Sequence, residues 1–471
     1  VGTTFAWFTD TASTGVNKIQ AGNLDVQLVD KEGVELDSAT ALKWKTVDTG
    51  EVLWEPNCKY DLEGFQIKNA GNLAVKYKVV LKATDITKTA DGKSLLDVID
   101  WTIKLGNAEE TVVASDAVKN GLVNGVEILV DKVLAPKELS GVISVTGHMD
   151  ANAGNDYQGL KIGGFGITVL ATQASYEKDS FDDQYDKDAE YPISVTTGDE
   201  LQAIVSNATA PVNIVLTNSI TTNNFVIPED KDVTLDLNGR TVTNAGSHTI
   251  LNKGHLTLTD SSADKSGQII SLKGNTAALR NGDNAVCVVE GGTISRDGAN
   301  GNTWHVVENF GKMTFNGGKV VLKNGNGFAI TNGWNYFDPG ASTTHAVMEI
   351  NALELDTDSS GIKNCRYGDL TVNNVTVNST GYWALSNDYL GTAVINGGTL
   401  TSNSFKAVSN GAAMTVNGGT FDGTQGFFVQ SYATSTVLNG GTFANMNVDA
   451  LSGYVGAGHT AQQSGTSVII K

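Results

Sequence analysis

Carboxylates close to cations are the first pattern in this sequence that could do chemistry. Leu355-Asp356-Thr357-Asp358 lies just before Lys363 and Arg366. Two carboxylates can act as general acid and base on a glycosidic bond, or hold calcium beside a basic residue. Asp also suits a chain corner, because its side chain bonds nearby backbone. No second acid pair recurs at the matching position of neighbouring repeats, so the corner reading is carried forward and no residue is assigned a catalytic role. The histidines (His148, His248, His255, His305, His345 and His459) form no H-E-x-x-H, which a zinc protease needs to place two ligands on one helix face. His148, near Asp150 at a strand end, reads as a hydrogen-bonding residue. Cys58, Cys287 and Cys365 form no C-x-x-C and read as small buried hydrophobes. No metal or cofactor is expected. The aromatic loop Trp334-Asn335-Tyr336-Phe337 has two readings: its rings stack on a sugar or a protein partner, or they cover the loop's own apolar base.

These residues are positioned by a ladder. Asn396-Gly397-Gly398-Thr399 recurs as Asn417-Gly418-Gly419-Thr420 and as Asn439-Gly440-Gly441-Thr442, with weaker copies starting at Asn373, Asn351, Asn316 and Glu290. Each is preceded by a short apolar or β-branched run such as Ala393-Val394-Ile395. A fixed period of this kind is the signature of a solenoid. The runs read as strands, and Asn-Gly reads as the positive-φ corner between them. Residues 191–471 are therefore expected to form a right-handed parallel β-helix, with a short helix over Glu200–Val205 capping its open end. The wide gap between Asn316 and Asn351 places a loop, carrying Trp334, Tyr336 and Phe337, outside the repeat.

Residues 1–190 read differently. Several short alternating strands, among them Leu24-Asp25-Val26-Gln27-Leu28, two around Asn69-Ala70-Gly71-Asn72, and runs at 121–133, 141–148 and 163–171, indicate a β-sandwich, with helix limited to a turn near 94–99. The segment Val1–Asp10 is apolar where chain ends are usually polar; extended, it puts Phe5 and Trp7 on one face and Phe8 on the other. An apolar strand expects a groove. Residues 176–190 form an acidic connector without the D-x-D-x-D-G spacing of a calcium loop, so it reads as a solvated linker.

Ala6-Trp7-Phe8-Thr9-Asp10 with Ala21-Gly22-Asn23-Leu24-Asp25-Val26, then Phe65-x-Ile67-x-Asn69-x-Gly71-x-Leu73-Ala74, resembles the TasA and camelysin family of secreted Gram-positive proteins. So do His148-Met149-Asp150…Gly154-Asn155-Asp156-Tyr157-Gln158-Gly159 and Ala171-Thr172-Gln173 with Tyr176-Glu177, which carries the resemblance to about residue 187. It implies a jelly-roll-type sandwich, secretion, and extracellular fibres in which the N-terminal strand of one subunit (residues 1–12) completes the sheet of the next. Camelysin-like proteins have been classed as metalloproteases, which the missing zinc motif argues against. Thr4-Phe5-Ala6 resembles the end of a signal peptide; we expect residues 1–6 to stay on the mature chain. Residues 191–471 resemble the pectate-lyase-like β-helices of bacterial surface proteins at the level of fold class.

Charge narrows the partners. The chain of 471 residues carries a net charge of −19, with 30 acidic against 18 basic groups before residue 191 and 21 against 14 after it, so neither part suits nucleic acid or an anionic membrane. No apolar run is long enough to span a bilayer. The expectation is a non-enzymatic, secreted cell-surface or biofilm-matrix filament subunit that polymerises head-to-tail with copies of itself. Its β-helix is a decoration or adhesive arm with a carbohydrate or surface ligand. The alternative is a secreted β-helix that binds or degrades polysaccharide.

Overall fold

The computed structural model describes residues 25–36, 44–45, 54–71, 73–108, 111–174, 191–262, 264–334 and 344–471. Contacts divide the chain into two units that meet at Pro192 and Ile193. Both are built almost entirely of strands. Phe5, Trp7 and Phe8, the acidic connector, and Tyr336 with Phe337 lie outside the described residues.

The first unit is a sandwich of two antiparallel sheets. One contains β1 (Val26–Asp30), β2 (Trp44–Lys45), β3 (Lys59–Leu62), β4 (Phe65–Asn69), β6 (Ile99–Leu105) and β8 (Ile143–Met149). The other is β7 (Val126–Leu134), β5 (Val75–Ile86) and β9 (Ile162–Gln173), with β5 in the centre. Alternation puts Phe65, Ile67, Tyr77, Val79, Leu81, Trp101 and Val145 into one core. The turn around Asn69 is a corner between the two sheets, since β4 and β5 lie in different ones. Asn69 is fully buried and holds that corner: its Nδ2 donates to the carbonyls of Leu73 (2.8 Å), Leu134 (3.2 Å) and Ala135 (3.1 Å). The expected turn near 94–99 is a 3-10 helix over Leu95–Asp97. Helix is not limited to it: Ser115–Gly121 forms α1, and the strand expected from Gly121 begins only at Val126.

The second unit is a parallel β-helix of three sheets. Sheet A has eleven strands, sheet B twelve and sheet C nine. Successive coils align in register: Val372, Ile395, Val416 and Leu438 stack in sheet A, and Val377, Leu400, Phe421 and Phe443 in sheet B, all of them fully buried. Each fully buried apolar side chain is worth roughly 1.5–3 kcal/mol, so the core grows with every coil.

The Asn-Gly-Gly corners join sheets A and B, but the expected assignment of positive φ to Asn-Gly is corrected. The second glycine turns the chain, with φ of +103° at Gly398, +112° at Gly419 and +116° at Gly441. The first glycine is required by close approach: a Cβ on Gly440 would lie 2.3 Å from the carbonyl oxygen of Asn417 in the preceding coil. The asparagine supplies a rung. Asn439 Nδ2 donates to Asn417 Oδ1 (2.9 Å), Asn417 to Asn396 (2.8 Å), Asn396 to Asn373 (2.7 Å), and so on through Asn351 to Asn316. The ladder ends on the Glu290 carboxylate at 2.9 Å, which can only accept and so sets the direction of every donor.

Both ends of the solenoid are closed. Helix α2 (Gly198–Asn207) buries Leu201 and Val205 against the first coils, and the Thr197 hydroxyl caps its start. At the other end a hairpin, Ala461–Ser464 with Ser467–Ile470, pairs antiparallel with Gly441–Phe443 and ends the parallel series.

Candidate functional site

Strands of sheet C share a three-residue grammar of apolar, variable, asparagine. It runs through Ile250-Leu251-Asn252, Leu279-Arg280-Asn281, Val307-Glu308-Asn309, Ile330-Thr331-Asn332, Ile362-Lys363-Asn364, Leu385-Ser386-Asn387 and Val408-Ser409-Asn410. The apolar residue enters the core and the asparagine follows it inward. These seven asparagines are almost completely buried and form a second ladder: Asn252 Nδ2 donates to Asn281 Oδ1 (2.7 Å), and the chain continues rung by rung to Asn410 at 2.7–2.9 Å. Each Nδ2 also donates to backbone carbonyls, as Asn364 does to Gly368 (2.9 Å) and Thr392 (2.8 Å). Sequence reasoning missed this spine. Its rungs are 29, 28, 23, 32, 23 and 23 residues apart, and each triplet shares only one asparagine and an unspecified apolar residue, whereas the last outer corners repeat a whole Asn-Gly-Gly-Thr string at 21 and 22 residues. The signal was the apolar-x-Asn triplet itself.

With core and spine fixed inside, alternation turns the middle residue of each triplet away from the core, although Glu308, Thr331 and Ser409 are themselves buried. At the upstream end, Glu308 is buried beneath Arg280 (Nη1 to Oε2, 3.1 Å) and the indole N–H of Trp304 (3.0 Å). Burial holds the neighbouring His248 and His305 below the ordinary imidazole range, so both are neutral at pH 7. Next along the face, Lys363 pairs with Asp388 at 3.0 Å and lies over the Phe328 ring. Further on the face becomes aromatic. Trp383 and Phe428 lie nearly parallel, Phe405 meets Trp383 edge-on, and the Lys406 ammonium sits against Phe428.

The residues singled out from sequence are not brought together. Asp356 is on sheet B, bound to Lys319 Nζ (2.5 Å) and Asn378 Nδ2 (3.0 Å). Asp358 accepts the backbone N–H groups of Asn324 (2.5 Å) and Gly325 (2.9 Å), which is the corner role. Lys363 and Arg366 belong to sheet C and the turn after it, so the expected grouping with the two aspartates is corrected; strand order in a coil places them on different faces. Trp334 packs on Phe310 at 4.6 Å, and Arg280 lies over the Phe310 ring at 4.5 Å. His148 is in β8, with Nε2 3.3 Å from Asn57 Oδ1. Cys287 and Cys365 are free thiols whose pKa burial pushes up to about 12, which leaves them unreactive.

No protein-family model matches this chain, and no curated protein matches it as a relative. Among the described residues, no group of three or more His, Cys, Asp or Glu side chains could hold a metal ion, and no helix is long and apolar enough to cross a membrane.

The Asp356 arrangement gives a small, signed prediction. Burial alone would raise its pKa, but the hydrogen bonds from Lys319 and Asn378 hold it below the usual carboxylate range. A lowered folded-state pKa stabilises the fold above the unfolded value and loses that contribution as pH falls through the folded one. The pair is partly exposed and screened, so Asp356→Asn should cost no more than about 1 kcal/mol at pH 7. Urea titrations of the two proteins should converge at acidic pH.

Proposed function

We propose that the protein is a structural subunit of an extracellular bacterial filament, polymerised by donor-strand exchange, with the β-helix displayed on the fibre as an adhesive arm. The observation that carries this reading is an open seam along one side of the sandwich. In the three-stranded sheet, Tyr77, Val79 and Leu81 of β5 are buried, whereas their partners on β9 (Ala171, Val169 and Ile167) are only half-buried. Val26 and Leu28 of β1, which approaches β9 from the other sheet, are half-buried too. Among the described residues β9 pairs on one side only, along twelve residues.

A long unpaired edge beside half-covered apolar side chains is the receptor geometry for an added strand. The apolar segment Val1–Asp10 supplies a strand of fitting composition, and its motifs resemble those of the TasA and camelysin family. Strand and seam are different surfaces, so each contact is head-to-tail and the assembly grows as an open fibre unless rotation closes a ring.

The receptor side is tested with Val169→Lys in the whole chain. Electron microscopy should show filaments with a regular axial repeat for the parent and isolated particles for the variant. A parent that never forms filaments, or a variant that forms them normally, rejects the reading.

A further inference from the structure

The aromatic stretch of sheet C is not explained by filament formation. Exposed large apolar side chains in the solenoid are scattered at Ile193, Leu272 and Val347 but concentrated here, with Tyr382 (59% exposed), Tyr389 (57%), Leu390 (38%) and Tyr432 (54%) within a few coils. Trp383 and Phe428 are separated by 6.3 Å with 29° between their planes, and Phe405 stands at 82° to Trp383 at 4.6 Å. Lys406 Nζ lies 3.1 Å from the Phe428 centroid, 5.8 Å from Trp383 and 5.9 Å from Phe405. We propose that this face binds a carboxylated polysaccharide, with Trp383, Phe405 and Phe428 stacking on sugar rings and Lys406 pairing with a uronate carboxylate. The proposal deepens the adhesive-arm reading and rests on it.

Charge selects this occupant. Among the described residues no carboxylate pairs with Lys406, whereas Lys363 on the same face is already held by Asp388 at 3.0 Å. Burial lowers the pKa of this ammonium, so the rings replace only part of its lost hydration. A ligand carboxylate would supply the charge-assisted bond that is missing. One cation among several rings does not suit a polyphosphate, which is held by many.

Ring faces on a rigid scaffold suit the C–H faces of sugars, and the exposed tyrosines add hydroxyl groups for hydrogen bonds. Trp383 and Phe428 precede or occupy sheet C strands that are two coils apart, ~9.6 Å at the usual strand spacing. The side chains lean together, which leaves the two ring centroids only 6.3 Å apart, so the rings present one compact platform to a sugar chain.

The test titrates the whole chain calorimetrically with hexagalacturonate and with neutral cellohexaose. Hexagalacturonate should bind at least about tenfold more tightly, the effect expected of one charge-assisted bond. Lys406→Gln should remove that preference, Lys406→Arg should retain it, and Trp383→Ala should abolish binding of both. Tyr382→Ala, at an exposed position, should weaken binding with an unchanged melting temperature, which keeps the test valid if Trp383→Ala unfolds. Failure of the folded parent to bind either oligosaccharide, as when the face docks a protein instead, overturns the inference; so does an unchanged preference in Lys406→Gln. Filaments without glycan binding reject this inference alone. Glycan binding by a protein that never polymerises supports it while rejecting the filament reading.

Discussion

Removing Val1–Asp10 should leave a folded protein that elutes as a monomer and forms no filaments at any concentration. Ten extended residues reach ~33 Å, and the twelve residues of β9 offer a ladder at least that long. Seating Phe5 and Trp7 beside Ile167 and Val169 would be worth roughly 1.5–3 kcal/mol for each ring, and each ladder hydrogen bond about 0.5–1.5 kcal/mol net. Losing the whole strand removes all of these terms together, which takes association from stable to negligible. Size-exclusion chromatography with electron microscopy reads the outcome. Adding the free ten-residue peptide to the parent should shorten fibres by occupying open seams. Normal filaments from the truncated chain would reject donor-strand exchange.

Replacing Asn364 with leucine should destabilise the solenoid by about 3–5 kcal/mol, while Asn417→Ala should cost about 1 kcal/mol or less. Both residues are ladder asparagines, and the difference is water. Asn364 is fully buried; its loss leaves Asn387 Oδ1, the carbonyls of Gly368 and Thr392, and the Asn332 donor short of partners in a dry interior. Asn417 bonds Asn396 and Asn439 at the exposed corner, where solvent replaces the missing rung. Urea unfolding of the two variants gives the comparison. Hydrogen exchange should show the loss centred on the coils around Asn364, because each coil is stabilised mainly by its neighbours. Equal costs for the two variants would mean that the inner ladder is not the spine of the fold.

The sequence by itself determined the parallel β-helix, because coils in register must repeat their inward residues and corners at one period. That period is visible in Asn396-Gly397-Gly398 and its copies, in the strands before them, and in the loop that interrupts them after Asn332. It determined the strands of the sandwich wherever inside and outside alternate cleanly, as in Phe65-Gln66-Ile67. It did not determine which residues share a face. Asp356 and Lys363 are close in sequence yet lie on different sheets, whereas Trp383, Lys406 and Phe428 become neighbours only when three coils stack. The inner asparagine ladder was hidden for the same reason: its rungs are set by strand register, and a lone asparagine after an apolar-x pair carries far less sequence signal than a repeated Asn-Gly-Gly-Thr string. The partial exposure of the apolar residues of β9 is likewise a tertiary property, since half-buried Val169 and fully buried Val79 follow the same alternating pattern and differ only in what packs beside them.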